Sequence, residues 1–393
     1  GTRFEFATRV GGRRVRLQVR AEAFDVAYGD RYRLRARVMA PPETTLWALS
    51  ARGLAGDVRV RLCDMERAGH GGNSLFRDGF WPLHRFARTR LQRVMGADAG
   101  LAVSLLLGER AGLGDTTRDA VRRLGITHLL AISGMHLTTM AGCVLLLARR
   151  APRWRSWLLA GALTLYAGMV GSIASLSRAY LMAMLMLGAH AIVRPVRPRD
   201  ALAVALLIMS VSRPLALRAA GLQLSFAATF AVLMVLPELW RPRATDTPRV
   251  RRLANDAARS VRSAFVLSLA VELFIAPLQL HHFHAVSAVG AIATVLFFVP
   301  VSLVLLGAAP VAVLAACVPG REWPGVPLRL LSVLTTHAMT AGGRVAPGLL
   351  VLPEPNLWLY YGGLALAWRM RRRRGAWLPG AVMAVAAFVI PRG

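Results

Sequence analysis

Lysine is missing from all 393 residues, so the 49 basic side chains are arginine throughout. Acidic residues are also scarce, 20 in total, which leaves a formal charge of +29. Exclusive use of arginine is what a GC-rich genome produces. Its forked guanidinium nevertheless suits phosphate better than an ammonium does. A charge of this size favours anionic partners, either lipid headgroups or nucleic acid. Only three cysteines occur, at 63, 143 and 317, too far apart to suggest a disulfide framework or a thiolate metal site. No GxxxxGK[ST] loop is present, so nothing cradles a nucleoside triphosphate and any energy for transport comes from elsewhere. No cofactor is expected. His281, His282 and His284 cluster in sequence but have no acidic or thiol companion nearby, and no metal site is assigned to them.

Hydrophobic residues make up 55% of the chain. That content, combined with the charge, excludes an ordinary soluble domain and indicates a polytopic membrane protein with a basic exterior. Crossings are expected near 128–148, 157–173, 179–193, 200–212, 221–239, 264–279, 285–299, 301–318, 356–370 and 376–391. Several fall short of the roughly 20 residues of a full span, so some are read as short or broken. If 128–148 runs inward, the inner loops hold nineteen arginines and the outer ones six. The positive-inside rule then puts the basic 240–263 loop in the cytoplasm, with the N-terminal region and the C-terminus outside.

Residues 1–67 differ in kind. Val15, Leu17 and Val19 alternate with Arg14, Arg16, Gln18 and Arg20, and similar alternation recurs over 32–38 and 58–62. A period of two with turn residues between runs predicts short strands, read here as a small OB-like β-barrel domain. Arg14, Arg16, Arg33, Arg35 and Tyr32 are its candidate DNA-binding face. A solvated basic face without a ligand is the competing reading. Residues 68–98 are read as a linker, with a joint at Gly69–Ser74, followed by an amphipathic helix over 81–95. Its apolar side is expected in lipid and its arginines at the headgroups. The apolar 99–113 segment, interrupted by Glu109 and Arg110, is expected to be interfacial or re-entrant. Residues 99–393 form the transmembrane domain.

The 108–142 stretch, GERAGLGDTTRDAVRRLGITHLLAISGMHLTTMAG, places two histidines, a serine and a glycine in an apolar run. Groups of this kind are costly in hydrocarbon and ordinarily face a bundle interior or a hydrated cavity. Small residues such as Ser133 and Gly134 also serve close helix packing. The HLLAISG-M-H core resembles the signature of the ComEC family of competence proteins. Ser172–Met184 (SIASLSRAYLMAM) resembles the family's Ser-x-x-Arg-Ala helix and GLQLSF at 221–226 a further segment, and Ala276-Pro277 with Pro300 fits later helices. Leu222 stands where the family has phenylalanine. The run 288–294 lacks an asparagine often found there.

The resemblance implies an inner-membrane channel passing single-stranded DNA into the cytoplasm during natural transformation. The candidate DNA path is His128, Ser133, Gly134, His136, Ser175, Ser177, Arg178, Gln223 and Ser225. Single-stranded DNA and membrane lipids are the implied partners; a homodimer and other competence-machinery proteins are further ones. The family's leading helices and C-terminal metallo-β-lactamase-like domain are not in this sequence. No enzymatic activity is therefore expected of it, since any nuclease would need that domain. Two rivals remain: a transporter of another anionic polymer or lipid-linked substrate, and an intramembrane serine hydrolase using Ser133 with His136 or His190.

Overall fold

The computed structural model describes residues 2–10, 13–21, 30–34, 56–59, 65–70, 79–109, 112–171, 173–239, 249–317, 325–352 and 355–370. These strands and helices divide between two compact units. The first comprises residues 1–114, 130–222 and 300–336; the second comprises 115–129, 223–299 and 337–393.

The N-terminal strands are β1 (Thr2–Val10), β2 (Arg13–Ala21), β3 (Asp30–Leu34), β4 (Gly56–Arg59) and β5 (Met65–His70). The predicted alternation forms β2, which pairs antiparallel with β1 so that Leu17 faces Phe6 and Val19 faces Phe4 across the ladder. At intervening positions Arg14 opposes Arg9 and Arg20 opposes Arg3. A pleated ribbon sends successive residues to opposite faces, so this register sorts apolar from basic positions. β4 joins β2 in parallel, while β3 and β5 form a separate antiparallel pair. Among the described residues of the N-terminal region, then, there are two small sheets and no closed barrel. Gly69 and His70, read as a joint, instead pair with Arg31 and Asp30 at the end of β5.

The helices are α1 (Trp81–Met95), α2 (Gly100–Leu107), α3 (Asp115–Arg123), α4 (Thr127–Leu130), α5 (Gly134–Leu147), α6 (Arg155–Val170), α7 (Ala174–Ala191) and α8 (Pro198–Ser212). They continue with α9 (Ala220–Leu239), α10 (Arg249–Phe283), the short strand β6 (Val286–Ser287), α11 (Gly290–Cys317), α12 (Val326–Val345), β7 (Leu349–Leu350) and α13 (Leu357–Met370). Three helices among the described residues are long and apolar enough to cross a membrane, over Ala220–Pro237, Ala258–Phe283 and Gly290–Leu314.

Four expectations from the sequence change. First, 128–148 is not one helix, because it breaks between Leu130 and Gly134. Second, 285–299 and 301–318 are one helix, α11, which carries Pro300 and Pro310 internally. Third, α12 adds a helix where no crossing was expected, because Arg329, His337 and Arg344 dilute its apolar pattern. Fourth, the apolar residues of the amphipathic α1 are divided between the protein interior and the exterior. Ala87, Leu91 and Met95 are buried in protein, while Phe86 is exposed. Sequence periodicity identifies an apolar stripe but not what covers it.

The following α2 is buried almost completely from Leu101 to Leu107, the usual fate of an apolar helix too short to span. α1 and α2 make an antiparallel hairpin within the first unit. At its open end His84 on α1 meets Glu109 just beyond α2. At its tip Asp98 accepts a hydrogen bond from Arg329 Nε of α12 at 2.7 Å.

Candidate functional site: a broken helix at Ser133

The signature segment is divided between the two units, with Gly125–Leu129 in the second and Leu130 onward in the first. In the first unit, Ser133 is extended (φ −133°, ψ −176°) and α5 begins at the next residue. Such a start leaves backbone N–H groups without intrahelical partners. Ser133 Oγ accepts from Met135 N–H at 3.3 Å, and Ser133 N–H donates to His136 Nδ1 at 3.2 Å. This is a capping box in which histidine does the work usually given to glutamate or glutamine.

His136 is fully buried. Because Nδ1 accepts, the proton of the neutral ring resides on Nε2, which has no hydrogen-bond partner among the described residues.

The break also frees carbonyl groups, and α7 supplies a partner for one of them: Ser175 Oγ donates to the Ile132 carbonyl. One turn further along α7, on the same face, lies Arg178. Only 6% of Arg178 is exposed. Its Nη2 lies 3.6 Å from where a Cβ on Gly134 would be, so the guanidinium packs against the first residue of α5. Ser302 Oγ reaches Met135 Sδ at 3.5 Å from α11. A helix N-terminus, a guanidinium and three hydroxyl-bearing side chains thus converge in the first unit. The positive end of the helix dipole adds to the charge of the arginine. Anions, phosphates above all, are the ligands such an arrangement favours.

Of the residues expected on the path, Ser133, Gly134, His136, Ser175 and Arg178 come together here. Ser177 lies beside them on α7, half-buried, with its N–H donated to the Ile173 carbonyl at 2.8 Å. His128, Gln223 and Ser225 belong to the second unit. There His128 Nδ1 pairs with the Gly125 carbonyl at 3.2 Å and Nε2 with Thr294 Oγ1 at 3.4 Å. Gln223 Oε1 is bonded to His282 Nε2 at 2.7 Å, which gives one of the clustered histidines a structural partner. The Ser225 carbonyl accepts from Thr229 Oγ1 at 3.0 Å. His128 and His136, expected within one crossing over 128–148, are separated by the break into different helices. In the β region, Arg14 and Arg16 are on β2 and Tyr32 and Arg33 on β3, in separate sheets. Arg35 lies outside the described residues.

One polar cluster escaped the sequence reading. His84 Nε2 lies 2.7 Å from Glu109 Oε1, and His84 Nδ1 lies 3.0 Å from the Met169 carbonyl. Arg88 Nε lies 3.3 Å from Glu109 Oε2, and Trp81 stacks on His84 with ring centroids 5.1 Å apart. Burial by itself would raise the Glu109 pKa. The His84 hydrogen bond and the Arg88 charge outweigh it and hold the carboxyl below its usual value. The available signal was Glu109 itself, an acid ending an apolar segment. Finding its partners requires the hairpin.

The solved structures offer no significant match. Two curated proteins align with parts of the chain. ComE operon protein 3 of Bacillus subtilis (strain 168) is 28% identical over 193 residues, covering 48% of this chain and 23% of its own length. Competence protein ComA of Neisseria gonorrhoeae is 32% identical over 216 residues, covering 46% of this chain and 30% of its own length. The chain therefore spans less than a third of either relative. A family model described as competence protein matches residues 105–374, a stretch that contains the broken helix and Arg178. With well over half of its length matched, the chain belongs to the competence protein family.

Proposed function

We propose that this membrane protein of competence forms part of an inner-membrane path for single-stranded DNA, and that the strand passes the N-terminus of α5. The observation that carries this reading is the buried guanidinium of Arg178 packed against Gly134 at a broken helix. Irregular backbone within a membrane protein persists only where protein buries it or where it lines a cavity. Broken helices whose N-termini face an anion are the familiar form of such a site in transporters. A phosphodiester in transit meets fixed positive charge here without lysine, metal or nucleotide. The chain itself is read as non-enzymatic.

The serine hydrolase alternative loses ground on geometry. The Nδ1 lone pair of His136 is engaged by Ser133 N–H, and Ser133 Oγ is 3.4 Å from that nitrogen while accepting from Met135. The pair acts as a cap, and no lone pair is left to take the hydroxyl proton.

The arginine bias supports placing the 240–263 loop in the cytoplasm and both the β region and the C-terminus outside. One helix at 290–317 replaces two expected crossings and α12 adds a helix; ten crossings, the last of them over 376–391 and outside the described residues, remain the proposed count. An OB-like, DNA-binding role for the strands remains part of the proposal, with Arg14, Arg16, Tyr32 and Arg33 as its basic and aromatic positions. Other competence-machinery proteins, and a second copy of the chain, are its proposed partners.

The test is DNA entry into a competent host lacking its own channel, complemented with the natural full-length protein. Arg178→Ala is expected to lower cytoplasmic DNA at least tenfold while leaving membrane insertion intact, and Arg178→Lys to restore part of it. Normal entry with Arg178→Ala overturns the reading. Loss of entry for another anionic polymer, with DNA entry unaffected, favours the rival transporter.

A further inference from the structure

In the second unit, Glu272 is the only acidic residue in the apolar span Ala258–Phe283, and it sits in the middle of the run 264–280. Its carboxylate packs on Gly290, the first residue of α11. A Cβ at Gly290 would lie 2.8 Å from Oε1 and 3.1 Å from Oε2. The Gly125 turn closes on the same place, because a Cβ at Gly125 would lie 3.2 Å from Gly290 Cα. Among the described residues no hydrogen bond or ion pair reaches Glu272.

The surrounding elements offer it no cation. α11 has no charged residue, Arg122 and Arg123 ahead of the Gly125 turn are exposed, and His128 just after it has both ring nitrogens paired, with Gly125 and Thr294. From α13, Tyr360 and Tyr361 donate their hydroxyls to the Leu273 and Phe274 carbonyls, at 2.7 and 2.9 Å. On α10 itself, His281 and His282 lie more than two turns further along, and His282 is bonded to Gln223.

An ionised carboxylate without a partner in mid-span is expensive, and such groups mark ion or proton pathways. Three features here match transporter sites at the membrane midplane: a carboxyl in an apolar span, non-helical backbone at 284–289, and a helix beginning against the carboxyl. Among the described residues no second carboxylate, histidine or thiolate completes a metal-holding group with Glu272, so a metal cation lacks a ligand set. That leaves the proton as the ligand. We propose that Glu272 is a reversible proton-binding carboxyl, neutral when packed against Gly290 and ionised when water reaches it, and that strand passage depends on this exchange. The dependence on passage rests on the DNA-path reading above. The proton site itself does not.

Dicyclohexylcarbodiimide separates the two parts of the proposal, because it partitions into membranes and adds to protonated carboxyl groups there. With the full-length protein in vesicles, mass-spectrometric mapping is expected to find Glu272 modified. On the alkaline limb the modification should fall roughly tenfold per pH unit. It should disappear in Glu272→Gln and persist in Glu272→Asp. No modification of Glu272, modification independent of pH, or protection by sodium ions overturns the proton site. Gel filtration of each variant shows that it is folded, and the Asp variant keeps the test decisive if Gln is not. In the entry assay, Glu272→Gln is expected to cut DNA entry at least tenfold and Glu272→Asp to retain it. A Glu272→Gln protein that imports DNA normally overturns the dependence while leaving the labelled site. Absence of DNA entry by the wild-type protein overturns the DNA-path reading instead.

Discussion

Gly125 and Gly134 are nine residues apart in one signature segment, yet the structure needs glycine at them for different reasons. Gly125 has φ of +73°, and a Cβ there would lie 2.6 Å from Ser287 Cβ. Both backbone and space exclude any other residue. Gly134 is helical and without steric compulsion, its nearest neighbours being Arg178 Nη2 at 3.6 Å and Ala179 Cβ at 3.9 Å. A close approach in the second unit is therefore a matter of folding. In the first unit, the smallness of Gly134 leaves room beside a cation. A shared motif can join a folding requirement to a functional one.

Substitutions can break this contrast. Gly125→Ala is expected to have the largest effect on folding, about 3 kcal/mol, from a left-handed backbone together with overpacking. Thermal denaturation in detergent measures it, and a loss of under about 0.5 kcal/mol would remove the distinction. Ser133→Ala is expected to cost about 1 kcal/mol through the lost cap, and Ser133→Asn or Ser133→Asp to restore it. A nucleophilic serine would tolerate neither replacement, so DNA entry by the Asn variant decides between cap and nucleophile. Gly134→Ala meets only ordinary contacts and is expected to leave the midpoint nearly unchanged while reducing DNA entry. Equal entry would show that the space beside Arg178 is not used.

The smallest effect concerns acid. The Glu109 pKa is lowered in the folded state, so its contribution is present above the unfolded carboxyl value and is lost as pH falls through the folded one. The group is partly exposed, which limits the size of the effect. Glu109→Gln should remove that part of the acid sensitivity, and pH-dependent melting of the two proteins checks it.

Much of the architecture was legible in the sequence. The alternation around Val15–Val19 gave β2, and long apolar runs gave α9 and α10. The polar residues within 128–142 pointed to the segment that holds the candidate site. The break was not legible, because Ile132, Ser133 and Gly134 suit a membrane helix by composition, and only the hydrogen bonds of Ser133 and Ser175 reveal the change in backbone. Two crossings were expected on either side of Pro300, yet Pro300 and Pro310 are both accommodated within α11. α1 shows the same limit from another direction: its stripe was visible, but whether protein or lipid covers Leu91 depends on contacts distant in sequence. The His84–Glu109 pair depends on a hairpin whose ends are 25 residues apart, and no local pattern encodes it.

The central claim is that the strand passes beside Arg178. The most direct measurement places a photo-crosslinking residue at Ser177, half-buried beside that arginine, in the natural full-length protein during DNA uptake. A control carries it at Leu147, which is 82% exposed at the far end of α5. An adduct between the Ser177 position and single-stranded DNA, formed only while uptake proceeds and absent from the Leu147 control, is the expected result. No adduct at Ser177 in cells that are importing DNA would contradict it.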